Sequence, residues 1–289
     1  MLLENETVEQ ILQGETNKKR GFAIMDERLK CELVFIVMMI AHVLADFYFQ
    51  SSKLAQDKVM NPKAMVKHIL LYSAVIFIVM CTVTKLNLAM IMSVLLLCVT
   101  HAVVDSTKFL VQKRIKTNAL QKADYVFYID QFLHVFCIVI VWYSFGKRME
   151  PRDFTAKGPD YLQYYPITIF LCVLLLLKPT SLFITKSGFL MPSNKMTSLG
   201  IGEKIGYLER LTVLACIMYG NISAIGFVIT AKSIARFPEL NASTDSIDPV
   251  EMTSKTRKAE YYIIGTLLSV VATFAVALSF GLFITPVGK

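Results

Sequence analysis

The sequence is poor in charged residues and contains no paired cysteine motif. Charged residues occupy 18% of the 289 positions, whereas in an average soluble chain they occupy about a quarter. The six cysteines are scattered and form no C-x-x-C pair, which argues against a disulfide framework and against a thiolate metal site. Residues 1–30 are rich in Glu, Lys and Arg, so no secretory signal peptide is expected there. We expect the first long apolar run to act as the insertion signal.

Long apolar runs dominate the rest of the chain. Hydrophobic residues make up 55% of it, and its mean hydropathy is +0.54. A helix needs about 20 mostly apolar residues to cross the hydrocarbon layer, and continuous runs favour helices over the alternating strands of a barrel. The qualifying runs lie near 32–50, 64–84, 87–112, 124–145, 162–185, 205–231 and 260–285. The sequence therefore predicts an all-α, polytopic transmembrane helical bundle of about seven spans.

The polar residues divide the chain into three predicted parts. Residues 1–30 are a polar N-terminal extension, and residues 31–146 are a four-helix transmembrane block that contains every histidine. Residues 147–289 are a three-helix transmembrane block with a polar loop at 238–259. The net charge of +8 is spread over loops on both faces, which suits anionic headgroups and argues against nucleic acid. Membrane lipids are the expected partners, and a homo-oligomer stays open as a second expectation.

Histidines and aspartates are placed in pairs inside the predicted spans of the first block. Each pair is four residues apart, so both of its side chains share one helix face. The pairs are His42 with Asp46, His101 with Asp105, and Asp130 with His134, and His68 lies near the start of the second span. A charged residue at mid-bilayer costs roughly 2.5–3.5 kcal/mol on insertion scales, so such residues tend to face a cavity, a partner or an ion.

All of these polar residues are predicted to lie at a similar depth. The first and third spans run parallel and carry their pairs in their second halves. The second and fourth spans run the opposite way and carry their polar residues in their first halves. Each set therefore lies toward the face with loops 51–63 and 113–123, and short connections favour packing of the four helices side by side.

Imidazole and carboxylate groups together are the usual protein ligands of Zn²⁺, Fe²⁺ and Mn²⁺. We expect a divalent metal, with zinc as first choice, and its candidate ligands are His42, His68, His101, His134, Asp46, Asp105 and Asp130. The three aspartates are also the catalytic candidates, as general bases, or they orient the histidines beside them. Two other interpretations stay open: hydrogen-bonded pairs that only stabilise the bundle, and a proton relay.

Four further polar residues are candidates for substrate binding. Gln50 and Lys108 lie near the helix faces that carry the first and third-span pairs, and Glu209 and Arg210 begin the sixth span. Simpler roles compete with this one: Lys108 can extend to the headgroups, and Glu209 can be stabilised by a helix dipole. Because Glu209 and Arg210 are adjacent, they cannot share a helix face and are expected to pair elsewhere.

Several segments resemble a known family of membrane proteins. The segments are A-H-V-L-A-D-F-Y-F-Q (41–50), T-H-A-V-V-D-S-T-K (100–108) and I-D-Q-F-L-H (129–134). They resemble a bacterial multi-pass family catalogued as domain of unknown function 3307, and stretches at 206–210, 224–237 and 260–269 look like a longer form of it. The resemblance implies a location in the bacterial inner membrane and singles out the same polar residues. It implies no reaction.

Three classes of function are consistent with this pattern. A polar cluster near one face favours a binding pocket, and hence a metal-dependent hydrolase of a lipid-like or membrane-embedded substrate. An ion channel or a proton-coupled transporter needs a polar route through both leaflets, whereas the other halves of the first four spans are almost wholly apolar. A non-catalytic accessory subunit with a structural polar cluster is the third class.

Overall fold

Helices form the regular structure of the computed structural model, which describes residues 27–59, 61–114, 120–152, 161–186, 199–241 and 249–282. In chain order they are α1 Glu27–Tyr48, α2 Ser52–Asp57, α3 Pro62–Val83, α4 Leu88–Arg114, α5 Leu120–Phe145, α6 Tyr161–Leu176, α7 Lys178–Lys186, α8 Leu199–Met218, α9 Ile222–Asn241 and α10 Pro249–Ser279. The predicted all-α class is confirmed. Residues 1–26 of the predicted extension and 242–248 of the predicted loop lie outside the described residues.

Five helical segments are long and apolar enough to cross a membrane. They are Glu27–Tyr48, Pro62–Val83, Leu88–Val111, Val126–Arg148 and Tyr164–Lys186. Each overlaps one of the first five predicted spans, which supports a multi-pass membrane protein. Shorter apolar helices at Ile222–Ile234 and Ile263–Ser279 overlap the sixth and seventh predicted spans, so the predicted number of spans is approximate.

The predicted sixth span at 205–231 is divided by a turn in the structure. Helix α8 ends at Met218 and α9 begins at Ile222. Gly220 has φ 69°, the left-handed conformation that glycine adopts without steric cost. Its N–H donates to the Ile217 carbonyl, and the Asn221 N–H donates to that of Cys216, which is a Schellman helix end. The Asn221 side chain then accepts from the Ala224 N–H and begins α9.

A proline explains the break between α6 and α7. Pro179 has no N–H, so the Leu175 carbonyl loses the helical partner four residues later. The Thr180 hydroxyl donates to that carbonyl instead, at 2.7 Å. The freed backbone group is therefore satisfied inside an apolar segment, as a bilayer requires.

Polar caps define where the helices around the site begin. Ser51 accepts from the Leu54 N–H at the start of α2, and Asn61 accepts from the Lys63 N–H at the start of α3. Asn87 accepts from the Met90 N–H at the start of α4. These side chains replace missing helical partners of the first N–H groups, so the chain turns sharply between the apolar helices.

The chain forms two compact units. The first comprises Met1–Arg114 and Asp130–Thr168, and the second comprises Ile115–Ile129 and Ile169–Lys289. In the first unit α1 is the most buried helix: 56% of its most apolar stretch is buried, against 39% in α4, 33% in α3 and 22% in α5. In the second unit α6, α8, α9 and α10 share an apolar core. The predicted three-part domain division is not tested by these units and stays a prediction.

Apolar side chains also cover the outer faces of the spanning helices in the first unit. Leu70 of α3, Leu95 of α4 and Phe132 of α5 are more than half exposed. Large exposed apolar surfaces are rare on soluble monomers. They suit contact with acyl chains.

The turn between α8 and α9 can be tested with two glycines. Gly220→Ala should destabilise the protein by about 1–2 kcal/mol, because an L-residue in the left-handed region is strained. Gly226→Ala is the control: it lies within α9, where an added Cβ meets no atom within 4 Å, and it should stabilise by roughly 0.5–1 kcal/mol. Thermal unfolding in detergent measures both variants. A continuous helix through 205–231 would instead give the two substitutions the same sign.

Candidate functional site

Seven histidine and aspartate side chains from four helices meet inside the first unit. The side chains of His42, His68, His101, His134, Asp46, Asp105 and Asp130 are between 0% and 6% exposed. They come from α1, α3, α4 and α5. The predicted meeting of these four helices at their polar residues is therefore found in the structure, and their depth in a bilayer stays a prediction.

The Nε2 atom of His68 lies at the centre of this His/Asp cluster. It is 3.0 Å from Asp105 Oδ2, 3.3 Å from Asp46 Oδ1 and 3.1 Å from His101 Nε2. The ammonium of Lys58 lies 2.9 Å from the same nitrogen and donates to Asp105 Oδ2 at 3.2 Å. Groups from α1, α3 and α4 and from the end of α2 thus converge on one ring atom.

The last turn of α1 carries Asp46 into the cluster. Residues Leu44–Tyr48 are π-helical, a local widening that is frequent at functional sites. The Asp46 Oδ1 atom lies 3.7 Å from His101 Nε2, and Oδ2 lies 4.0 Å from His42 Nδ1. The aspartate therefore contacts histidines of two other helices as well as its partner four residues away.

Tyr72 is the aromatic wall of the cluster. Its ring stacks on His101 with centroids 3.4 Å apart and planes 6° apart, and its hydroxyl lies 3.4 Å from His42 Nδ1. Tyr72 is 2% exposed. The sequence analysis missed Tyr72. Its position four residues after His68 on α3 puts the two side chains on one helix face, and this spacing was visible in the sequence.

His134 and Asp130 occupy the α5 side of the cluster. His134 Nδ1 lies 2.8 Å from the backbone oxygen of Asp130, and His134 Nε2 lies 3.8 Å from Asp105 Oδ1. Lys108 donates to Asp130 Oδ2 at 2.7 Å, and Gln131 donates to the same oxygen at 3.1 Å. Lys108 thus contacts a carboxylate of the cluster in this structure, rather than extending to headgroups.

The cluster contains three overlapping sets of metal-type donors. They are His42, Asp46 and His101; His68, His101 and Asp105; and Asp105, Asp130 and His134, each set with ligand atoms within 4.8 Å of one another. Four buried atoms in these sets have no hydrogen-bond partner: Asp46 Oδ1, His101 Nδ1, Asp130 Oδ1 and His134 Nε2. Buried polar atoms are nearly always paired. These buried groups could hold a metal ion.

The other predicted substrate ligands have contacts of their own. Gln50 is buried. When its amide nitrogen faces Asp46, this nitrogen donates to the backbone oxygen of Asp46 and the amide oxygen accepts from the Ala55 N–H, both at 3.2 Å. It therefore joins the end of α1 to α2. The role predicted for Gln50 in substrate binding stays a prediction.

Glu209 and Arg210 make their described contacts within the second unit. Lys232 donates to Glu209 at 2.6 Å. Arg210 is buried and donates to the Leu176 carbonyl and to the Ser181 hydroxyl. The two residues pair separately, as their adjacency predicted, and their role in substrate binding stays a prediction.

Lys58 is the second residue that the sequence analysis missed. It lies just after α2, in the stretch 51–63, which the sequence analysis treats as a loop between two spans. A loop residue has no helical periodicity that would point it at a histidine. Its position over His68 depends on the turn between α2 and α3.

The contribution of Tyr72 can be separated into its ring and its hydroxyl. Tyr72→Phe keeps the stack on His101 and should cost about 0.5–1.5 kcal/mol of unfolding free energy, the usual net value of one hydrogen bond. Tyr72→Ala should cost about 3–5 kcal/mol, because it opens a cavity. Tyr143→Ala, at a residue 82% exposed, is the control and should stay within about 0.5 kcal/mol. Equal losses in the two alanine variants would show that the ring does not support the site.

The first half of the chain is similar to a known family. Residues 34–157 match the family described as "Protein of unknown function (DUF3307)". The matched region contains all seven histidines and aspartates of the cluster, together with Lys58 and Tyr72. No curated protein and no solved structure matches the chain. The match ends before α6, so the resemblance of the later stretches, 206–210, 224–237 and 260–269, stays a prediction. The description of the matching family names no reaction.

Proposed function

We propose that the protein is a metal-dependent membrane hydrolase whose divalent ion is held by His68, His101 and Asp105. One observation carries the proposal, which is the convergence of three possible ligand atoms, Asp105 Oδ2, His101 Nε2 and Asp46 Oδ1, within 3.3 Å of His68 Nε2. A ring nitrogen of a neutral histidine offers one proton or one lone pair. It can therefore form a hydrogen bond with only one of these three atoms, whereas a divalent ion would bind several of them at once, in place of the Lys58 ammonium that lies 2.9 Å from the same nitrogen.

The distances between the three ligand atoms suit a small divalent ion. Zinc binds imidazole nitrogen at about 2.0–2.1 Å and carboxylate oxygen at about 2.0–2.2 Å, which puts tetrahedral ligands roughly 3.3 Å apart. The His68 Nε2, His101 Nε2 and Asp105 Oδ2 atoms are separated by 3.0, 3.1 and 3.6 Å. Three protein ligands also leave a fourth position open, as in catalytic rather than structural zinc sites.

Asp46 supplies the general base in this proposal. Its Oδ1 atom lies 3.3 Å from His68 Nε2 and 3.7 Å from His101 Nε2, and it is buried without a hydrogen-bond partner. A bound divalent ion supplies a Lewis acid that polarises an ester or phosphoester and activates water. A free carboxylate oxygen beside that ion is placed to accept a proton.

The position of the cluster supports a lipid-like substrate over a transported ion. The cluster includes the last turn of α1 and the first turns of α3, and its helices present apolar faces outward. In the described other halves of α1 and α3–α5, the buried side chains are almost all apolar. The family resemblance implies a bacterial inner membrane as the location. A hydrolase that acts on the lipids of this membrane needs access from one face only.

Metal content tests the binding half of the proposal. The purified wild type should contain a divalent metal, with zinc expected, and Asp105→Asn should lose it, because the amide carries no charge and is a poorer ligand than the carboxylate. Elemental analysis of protein purified in detergent measures both. Asp57→Asn, which changes an exposed aspartate on α2, is the matched control and should keep the metal.

A wild type that is folded and free of metal after incubation with Zn²⁺, Fe²⁺ and Mn²⁺ would reject the proposal. Metal-independent ion flux in proteoliposomes would favour the transporter instead.

Hydrolysis tests the role of Asp46. Asp46→Asn should retain the metal and lose about 10²–10⁴-fold in the rate at which phospholipids are hydrolysed in mixed micelles, the usual contribution of a general base. Release of fatty acid marks ester cleavage, and release of the head group, free or phosphorylated, marks phosphoester cleavage. An unchanged rate in Asp46→Asn with metal retained would remove this residue from the reaction.

A further inference from the structure

We infer that the cluster is built for two divalent ions, with Asp105 bridging them. The inference rests on the proposed function, because the first ion is the one held by His68, His101 and Asp105. It adds a second site made of Asp105, Asp130 and His134, which is one of the donor sets of the cluster.

The two oxygens of Asp105 face different donor groups. Oδ2 lies 3.0 Å from His68 Nε2 and 3.6 Å from His101 Nε2. Oδ1 lies 3.8 Å from Nε2 of His134, a residue of α5. Carboxylates are ligands in sites that hold two ions about 3.5–4 Å apart. One ion alone would use one side of this carboxylate and leave the other oxygen opposite a bare imidazole nitrogen.

His134 is held in the orientation of a metal ligand. A backbone oxygen only accepts hydrogen bonds, so the 2.8 Å contact with the Asp130 carbonyl requires that Nδ1 carries the proton. In the neutral ring Nε2 then presents a lone pair. This atom is buried without a partner, and the side chain is 3% exposed. Fixing a histidine through its other nitrogen is the usual arrangement in metal sites.

The distance between His134 Nε2 and Asp105 Oδ1 also indicates a cation. At 3.8 Å the two atoms are too far apart for a hydrogen bond. A lone pair and a carboxylate oxygen that face each other in apolar surroundings repel. A cation between them removes the repulsion and interacts with both.

Asp130 contributes the third ligand of the second ion. Its Oδ2 accepts from Lys108 and from Gln131, and these two contacts fix the carboxylate. Its Oδ1 is buried and has no hydrogen-bond partner. Lys108 and Gln131 are therefore positioning residues, and one oxygen of Asp130 is left for an ion.

The ligands of the two sites differ in kind. The first site has two imidazoles and one carboxylate, whereas the second has one imidazole and two carboxylates. Carboxylate ligands suit Mn²⁺, and both sites include the carboxylate of Asp105. Mn²⁺ is the probe because its paramagnetism shows whether one ion or a coupled pair is bound.

The number of bound Mn²⁺ ions tests the inference in the full-length protein. Elemental analysis should give two ions per chain, and the electron paramagnetic resonance spectrum should be that of an exchange-coupled pair, because the ions share a carboxylate. His134→Ala should bind one ion and give the spectrum of isolated Mn²⁺. Ser144→Ala, at an exposed residue further along α5, is the control and should bind two ions with the coupled spectrum. Asp130→Asn, which preserves side-chain volume, should also bind one ion.

The outcomes separate this inference from the proposed function. One ion in the wild type, retained in His134→Ala, would overturn the bridged pair and leave the hydrolase proposal standing. No Mn²⁺ in the wild type would overturn the inference, and the hydrolase proposal would fall with it only if Zn²⁺ and Fe²⁺ do not bind either. If His134→Ala fails to fold, Asp130→Asn decides: one ion supports the inference, and either two ions or none overturns it.

Discussion

The structure of the first unit depends on the cost of burying ionisable side chains. Seven imidazoles and carboxylates lie on helices whose outer faces are apolar, and each is almost fully buried. A single ionised side chain in such surroundings would lose its charge by gaining or releasing a proton, or it would destabilise the helix that carries it. When α1, α3, α4 and α5 meet at one depth, each group has a partner of opposite charge or a hydrogen-bonding neighbour. The packing of these helices and the formation of the site are therefore one event.

The contacts around the cluster hold its side chains before any ligand binds. The Asp130 carbonyl fixes His134, Tyr72 packs on His101, and Lys108 fixes the carboxylate of Asp130. Lys58 contributes a positive charge from the chain just after α2. Ligand geometry that is set by such supporting contacts does not have to be ordered at the moment of binding.

The helices were predictable where hydropathy alone defines them. The first five spans follow from long apolar runs. The break between α6 and α7 has another cause, which is the missing N–H of Pro179. The turn inside the predicted sixth span was missed because hydropathy does not register backbone conformation: Tyr219, Gly220 and Asn221 interrupt a run that stays apolar on both sides. Glycine followed by asparagine is a turn signal, and it carried more information here than the average hydropathy of the run.

The sequence by itself determined which residues share a helix face, because the 3.6-residue helical turn puts His42 and Asp46, or His101 and Asp105, on the same side of their helix. Only the tertiary structure decided which nitrogen faces which oxygen. The meeting of His68 Nε2 with Asp105 and Lys58 depends on side-chain rotamers and on how three segments pack. Those distances are set by contacts between residues far apart in the chain, and local spacing carries no information about them.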